Sequence, residues 1–212
     1  PRGILLDLAC GTGSLDPYFE QAGYDVVAVD VSEQMLNEAY EKKMRLGLNT
    51  LYLRQDMRQL DLYGTIDAAV CSLDSINHLT GDGDVLQAFR RVSLFSNPGA
   101  VFVFDVNTPY KHRKVLANET FVYDLEDVYV VWQNELDAKQ DMVEIHLDIF
   151  ERRGGHYLRS EEAFAERAYT TLQITRWLEQ AGFELCAVYG LDTFSPPQTD
   201  TEKEVYVARK RG

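Results

Sequence analysis

Short apolar runs alternate with helical patterns over the first half of the chain, and this alternation constrains the fold more than any other feature. The runs are typical of buried strands and lie at residues 3–9, 24–29, 50–53, 66–71 and 100–106. Amphipathic helical patterns follow the first, second and fourth of them. Parallel strands joined by crossover helices produce this order. We therefore predict an α/β fold built on a doubly wound, mostly parallel sheet.

The pattern changes after Pro109. Extended stretches without helical period lie at residues 121–134, 142–151 and 157–165, and Gly154-Gly155 marks a turn between the last two. A capped helix at 170–181 follows, and then two strands at 184–190 and 204–208. These strands bring the expected sheet to seven. We expect an antiparallel β insert at residues 111–165, with the core formed by residues 1–110 and 166–212.

Charge and cysteine usage narrow the classes of partner. The chain has 34 Asp and Glu against 21 Lys and Arg, a formal net charge of -13, which makes nucleic acid an unfavourable partner. No run approaches the roughly 18 apolar residues of a membrane span, so no membrane partner is expected. Three widely spaced cysteines form neither a disulfide framework nor a zinc cluster. We therefore expect a cytoplasmic protein without a metal site.

A glycine-rich turn between the first strand and the first helix is the most informative local feature. It reads Ala9-Cys10-Gly11-Thr12-Gly13, and glycines at such a junction let the backbone approach a ligand closely. A dinucleotide fingerprint requires Gly or Ala three positions after Gly13, where this chain has Asp16. A carboxylate there would repel a pyrophosphate, so an NAD-dependent oxidoreductase is an alternative interpretation and not the first one.

Three carboxylates lie at or just after the ends of the first three predicted strands: Asp7, Asp30 and Asp56. The carboxyl ends of parallel strands form the ligand-binding edge of an open α/β sheet. Asp30 lies about twenty residues after the glycine turn, where such folds place an acid that binds ribose hydroxyls. Singly, each could be a strand-end, helix-preceding or loop acid. In this order they predict a nucleoside site.

The segments Leu5–Gly13, Val27–Leu36 and Gln55-Asp56-Met57 resemble the first three motifs of class I S-adenosylmethionine-dependent methyltransferases. The resemblance implies a Rossmann-like methyltransferase fold and S-adenosyl-L-methionine as cofactor. It implies that the methionine part is surrounded by Asp7 and by the backbone of Ala9, Cys10, Gly11 and Gly13. It further implies that Asp30 binds the ribose, that Val31 and Met35 pack on the adenine, and that Asp56 and the Met57 backbone read the adenine edge. Ala9 replaces a glycine that is frequent in the family.

The same resemblance implies that the methyl acceptor binds after the fourth strand. The backbone of Ser72 and Leu73 would meet the amino group of the cofactor, and Asp74, Asn77 and His78 would point toward the cleft. His78 is the candidate general base, because an imidazole can accept a proton at physiological pH. The alternative is a histidine that only caps or hydrogen-bonds within the loop.

The sequence also indicates the class of acceptor. It lacks the Pro-Pro-aromatic signature of nucleobase amino methyltransferases after the fourth strand, and no cysteine follows a proline. Together with the acidic charge, this predicts a metal-independent methyltransferase that acts on a small molecule. Asn107, Tyr110 and Trp132 are further candidate acceptor contacts. Core packing or a homodimer interface is the alternative for Trp132 and the other aromatic side chains of the insert.

Two further expectations complete the prediction. A non-catalytic module that binds S-adenosylmethionine or S-adenosylhomocysteine is the main alternative to an enzyme. Helices upstream of the first strand commonly cover the cofactor in this family, and the chain begins at Pro1 without Met. We therefore expect that a preceding segment is missing.

Overall fold

A computed structural model describes residues 2–212 as two β-sheets with four α-helices. The first half contains β1 (Ile4–Leu8), α1 (Asp16–Gln21), β2 (Asp25–Asp30), α2 (Glu33–Leu46), β3 (Leu51–Arg54), β4 (Ile66–Cys71), α3 (Asp84–Phe95) and β5 (Ser96–Asn107). The second half contains β6 (Thr120–Asp124), β7 (Val128–Asp137), β8 (Met142–Arg153), β9 (His156–Arg167), α4 (Thr171–Gln180), β10 (Phe183–Gly190) and β11 (Lys203–Lys210).

The larger sheet has the strand order β10-β11-β5-β4-β1-β2-β3. β11 runs antiparallel to both neighbours, whereas the other pairs are parallel. The predicted seven-stranded, mostly parallel sheet is therefore confirmed. Asp7 of β1 pairs with Ala28 of β2 and with Val70 of β4, so the carboxyl ends of these strands meet at one edge.

Local signals in the sequence explain where two helices begin and end. The Ser32 hydroxyl accepts a hydrogen bond from the Met35 N–H and caps α2, which ends at Gly47 in the left-handed conformation. Thr170 and Gln173 form the predicted capping box of α4. The main core lies between the large sheet and the helices α3 and α4, with Phe89, Phe102, Phe104, Phe183 and Tyr206 fully buried.

The strands β6–β9 form a separate antiparallel sheet. The predicted extended stretch 121–134 is two strands, because the chain turns at residues 125–127, where Leu125 N–H donates to Val128 O. This turn has neither glycine nor proline, which explains why the sequence did not reveal it. A π-helical segment at Lys111–Leu116, also not predicted, leads from the core into this sheet. Within residues 2–212, no helix combines the length and apolarity needed to cross a membrane.

Candidate functional site

A cleft with two lobes opens at the carboxyl ends of β1–β4. The larger lobe has a volume of about 540 Å³ and includes the glycine turn, Asp30, Met35 and the loop after β4. The smaller lobe has a volume of about 240 Å³ and extends toward the start of α3. Both lobes are lined by Ala9, Asp30, Val31, Met57, Ser75 and His78. The larger lobe is also lined by Asp7, Cys10, Gly11, Ser72 and Leu73, and the smaller lobe by Asp56.

The glycine turn is held in an unusual backbone conformation. Ala9, Gly11 and Gly13 have φ values of 61°, 55° and 66°, in the left-handed region. A Cβ at Gly13 would lie 2.5 Å from Tyr52 Oη and 2.7 Å from Asp16 Oδ2, so a side chain there cannot be accommodated without displacing both groups. Ala9 tolerates the same region at a cost on the order of 1 kcal/mol, which gives a physical reason for the glycine frequent at this position.

Asp30 connects the glycine turn to the start of α2. Its Oδ2 accepts a hydrogen bond from Gly11 N–H at 2.8 Å, and its Oδ1 accepts one from Ser32 N–H at 2.8 Å. Each carboxylate oxygen can accept two hydrogen bonds, so each retains room for one more donor. The side chain lines both lobes while the residue is only 8% exposed. Asp30 thus presents to the cleft a fixed carboxylate with one open acceptor position on each oxygen.

Asp7 and Asp16 form a buried carboxyl pair beneath the turn. Tyr52 Oη donates to Asp16 Oδ2 at 2.7 Å, whereas Oδ1 of each aspartate is buried and has no donor among residues 2–212 other than a proton shared within the pair. Burial, followed by the charge of Asp16, raises the pKa of Asp7 to about 8. Burial also raises the pKa of Asp16, although Tyr52 opposes this shift. The pair therefore holds a proton near neutral pH, with Asp7 at the cleft and Asp16 behind it.

Asp56 lines the smaller lobe beside Met57, as expected for a residue at one end of the cleft. Its carboxylate caps a 3-10 turn by accepting from Arg58 N–H at 2.8 Å, and it also pairs with the Arg58 guanidinium. These contacts hold the pKa of Asp56 below its ordinary value. Arg58 is a site residue that the sequence analysis did not identify, although its position two residues after Asp56 was a signal that could have found it.

The loop after β4 brings Ser72, Leu73 and His78 to the cleft. Leu73 and Asp74 both have left-handed φ values, 57° and 53°, and the Leu73 side chain is exposed. His78 is exposed, and its ring centroid lies 5.2 Å from that of Phe164 on β9. His78 thus lies where the cleft meets the second sheet, accessible to a ligand.

None of the five predicted acceptor residues lines either lobe, and the expectations for Asn77, Trp132, Asn107 and Asp74 need correction. Asn77 is fully buried: its amide donates to Asn107 O and Arg167 O, and its Oδ1 accepts from Asn107 N–H. The Trp132 indole donates to Asn134 Oδ1 at 2.7 Å and packs within the core of the second sheet. Because their polar groups already have partners, Asn77 and Trp132 have structural roles here.

Asn107 lies, together with Asp74, inside a polar network that joins the two sheets. Its amide donates to Asp74 Oδ2 at 2.6 Å and to Glu166 Oε2 at 2.9 Å. Asp74 Oδ1 and Asp105 Oδ2 lie 2.9 and 3.1 Å from Lys203 Nζ. Burial opposes the charge of Lys203, but the two carboxylates outweigh it and raise its pKa. Tyr110, in contrast, is exposed beside this network but lines neither lobe.

Glu166 and Lys203 also belong to this network, and the sequence did not reveal them. They follow Asn107 by 59 and 96 residues, and no local pattern marks them. A metal ion has no candidate site in the described chain, because residues 2–212 contain no group of three or more His, Cys, Asp or Glu side chains suitably placed. Cys10, Cys71 and Cys186 are free thiols.

Known proteins share both the sequence pattern and the fold. A family model described as a methyltransferase domain matches residues 5–99. The YqeM protein of Bacillus subtilis (strain 168), a methyltransferase by its assigned name, is 31% identical over 99% of this chain and 85% of its own length. A crystal structure of an S-adenosylmethionine-dependent methyltransferase from Clostridium acetobutylicum superposes with a TM-score of 0.94 at 32% identity, covering 99% of this chain and 84% of that one.

A more distant structure shares the fold. S-adenosylmethionine-bound CalS10 from Micromonospora echinaspora, an amino pentose methyltransferase, superposes with a TM-score of 0.76 at 21% identity. The alignment covers 98% of this chain and 83% of CalS10.

Proposed function

Because this chain belongs to the class I S-adenosylmethionine-dependent methyltransferases, we propose that its cleft binds S-adenosyl-L-methionine and delivers the methyl group to a small-molecule acceptor. The main support for this proposal is the carboxylate of Asp30. It is fixed by two backbone N–H groups and retains one free acceptor position on each oxygen. The two ribose hydroxyls of the cofactor match that arrangement.

The remaining cleft residues fit the other parts of the cofactor. The glycine turn gives backbone access at Gly11, and Asp7 lines the same lobe, where we place the methionine part. Val31 and Met35 offer exposed apolar surface for the adenine, and Asp56 with Met57 lies at the end of the smaller lobe. Ser72 and Leu73 line the opposite side.

In methyl transfer, the main contribution of the protein is to orient the methyl donor and the acceptor. Bound S-adenosyl-L-methionine supplies a methyl group on a cationic sulfonium, which an acceptor displaces in line. In this proposal the cleft residues fix the donor, and the aromatic side chain of Phe164 packs beside His78, with ring centroids 5.2 Å apart. His78 is our candidate base for the acceptor proton, because it is exposed at both lobes.

We assign the acceptor side to the segment 111–165, with residues 1–110 and 166–212 as the cofactor-binding core. The Phe164 contact with His78 brings this second sheet to the cleft, and Tyr110 at its entrance is exposed. The net charge of -13 supports a small molecule over nucleic acid. CalS10, described as an amino pentose methyltransferase, illustrates a small acceptor on the same fold. Three free thiols support a cytoplasmic location, and the homodimer stays a prediction.

Calorimetric titration of the protein with S-adenosylhomocysteine, with NADH in parallel, tests the cofactor. We expect binding of the first ligand only; binding of NADH alone would contradict the proposal. Transfer of a labelled methyl group to small amines, acids and phenols then separates an enzyme from a binding module, which would transfer nothing. EDTA should leave transfer unchanged, and a loss that a divalent ion restores would contradict metal-independent chemistry.

Once an acceptor is found, His78→Ala tests the proposed base. Turnover should fall by about 100-fold or more, the usual contribution of a positioned base. The affinity for S-adenosylhomocysteine should stay near that of the wild type. His146→Ala is the matched control and should leave turnover unchanged. His146 is exposed and lies on the face of the second sheet opposite to Phe164, because it follows Ile145, the strand partner of Phe164. Equal turnover in the His78 variant would exclude the base role.

A further inference from the structure

Arg58 bridges two acidic residues that belong to different parts of the core. Its Nε lies 3.0 and 3.1 Å from the two oxygens of Asp56, and its Nη2 lies 2.5 Å from Asp56 Oδ2. Its Nη1 donates to Asp84 Oδ2 at 2.9 Å, at the first residue of α3. The guanidinium therefore ties the turn after β3 to the start of a helix packed in the main core.

The hydrogen bonds of Asp56 leave little acceptor capacity unused. Oδ1 accepts from the Arg58 N–H, Oδ2 accepts from Nη2, and the Nε hydrogen is shared between both oxygens. Three N–H groups thus occupy about three of the four acceptor positions of the carboxylate, so about one remains. The same contacts hold the pKa of Asp56 below its ordinary value, so the group stays ionised and can accept but not donate. Asp56 is thus a fixed acceptor for one donor.

We infer that Arg58 is a positioning residue that makes Asp56 select the base of the cofactor by its exocyclic amino group. This inference rests on the proposed function, in which Asp56 faces the adenine edge. Adenine presents an N–H donor at this edge, whereas hypoxanthine presents a carbonyl oxygen. An ionised carboxylate held in place accepts from the first and repels the second. Without Arg58, Asp56 is free to rotate, and the distinction weakens.

Asp84 sets the position of the guanidinium itself. Arg58 is 40% exposed, and Asp56 and Asp84 are 24% and 23% exposed as side chains, so the group is not fixed by burial alone. The Gln87 side chain, on the next turn of α3, also donates to Arg58 O at 3.0 Å. Contacts to both the side chain and the backbone of Arg58 therefore come from one helix, which gives the pair a defined orientation toward the smaller lobe.

Binding of S-adenosylhomocysteine and of S-inosylhomocysteine, measured by calorimetry, tests this inference. The wild type should bind the inosyl compound at least about tenfold more weakly, as expected for a lost hydrogen bond to a charged group. In Arg58→Met, the ratio of the affinities for the adenosyl and inosyl compounds should fall by about fivefold or more. Arg58→Lys should give an intermediate ratio, because an ammonium can pair with Asp56 but cannot reproduce the planar fork.

Arg91→Met is the matched control. Arg91, also on α3, donates through Nε to Leu60 O at 2.6 Å and so supports the same loop without contacting Asp56. A purely structural effect would weaken the binding of both ligands equally and leave the ratio of their affinities unchanged. We expect this result for the control. An unchanged ratio in Arg58→Met, or no discrimination in the wild type, would overturn the role of Arg58 alone. Failure of the wild type to bind either ligand would instead overturn the proposed function and the inference with it.

Discussion

The two halves of the cleft edge use their polar side chains in opposite ways. At the ends of β1 and β2, Asp30 accepts two backbone N–H groups and still has free acceptor positions, and Asp7 lines the cleft. At the ends of β4 and β5, Asp74 and Asn107 are bonded to each other and to side chains from distant strands. The first half is prepared for a ligand, whereas the second half joins the two sheets.

This difference changes how the predicted residues are interpreted. A polar side chain with spare hydrogen-bonding capacity at a cleft is a candidate contact, but one whose capacity is used inside the protein is a structural element. Asn77 shows the second case, since its three hydrogen bonds all end on backbone groups. The comparison predicts that substitution of Asp30 in the first half reduces cofactor affinity, whereas substitution of the internally bonded residues Asn77 and Asn107 in the second half reduces stability.

The variant Asn77→Ala should have the largest effect on stability. It leaves the Asn107 N–H and two carbonyl groups buried without partners, and we expect a loss of about 3 kcal/mol in the free energy of unfolding. Urea denaturation measures this loss. Asn97→Ala, which removes a side-chain bond to Asp67 at the surface, should cost no more than about 0.5 kcal/mol. A stable Asn77 variant with impaired turnover would return Asn77 to the acceptor site.

Asp30→Ala should reduce cofactor affinity more than it reduces stability. Loss of its bonds to the ribose is expected to weaken S-adenosylhomocysteine binding by about 1.5 to 3 kcal/mol. Calorimetry measures the affinity, and denaturation should show a smaller change in stability than for Asn77→Ala. Asp67→Ala is the control, because Asp67 also accepts a backbone N–H, from Ile4, at the opposite end of the sheet. Unchanged affinity in the Asp30 variant would remove Asp30 from the cofactor site.

The difference between the two halves of the cleft edge also explains which site residues the sequence could predict. Asp30 and Ser32 are two residues apart, and Asp30 ends the strand beside β1, 19 residues after Gly11. Strand-end and capping signals were therefore sufficient to predict them. The orientation of Asn77 depends on Arg167 O, 90 residues away, and that of Asn107 on Glu166, 59 residues away. No local pattern carries such information. The Arg58 contacts are intermediate, since Asp56 is two residues away but Asp84 is 26 residues away.

The buried pair of Asp7 and Asp16 allows a test of whether the first half also lowers the free energy of unfolding. Burial raises the pKa of Asp7 to about 8, so folded Asp7 binds a proton that the unfolded chain releases above about pH 4. Since the native state then holds more protons, stability must fall as the pH rises from about 4 to 8, by at most about 1.4 kcal/mol per pH unit. Asp7→Asn, which resembles the protonated form, should flatten this slope in urea denaturation series.

Asp67→Asn provides the control for that slope. The pKa of Asp67 lies below its ordinary value because it accepts hydrogen bonds from Asn97 and from Ile4 N–H. Its contribution is lost only when the pH falls below about 4, so the slope between pH 5 and 8 should match the wild type. If Asp7→Asn kept the wild-type slope as well, the proton would not reside on this pair. The Asp7 oxygen without a partner would then belong to an ionised carboxylate that can bind a cationic group. The first half would then differ even more from the second half, whose polar groups are bonded to each other.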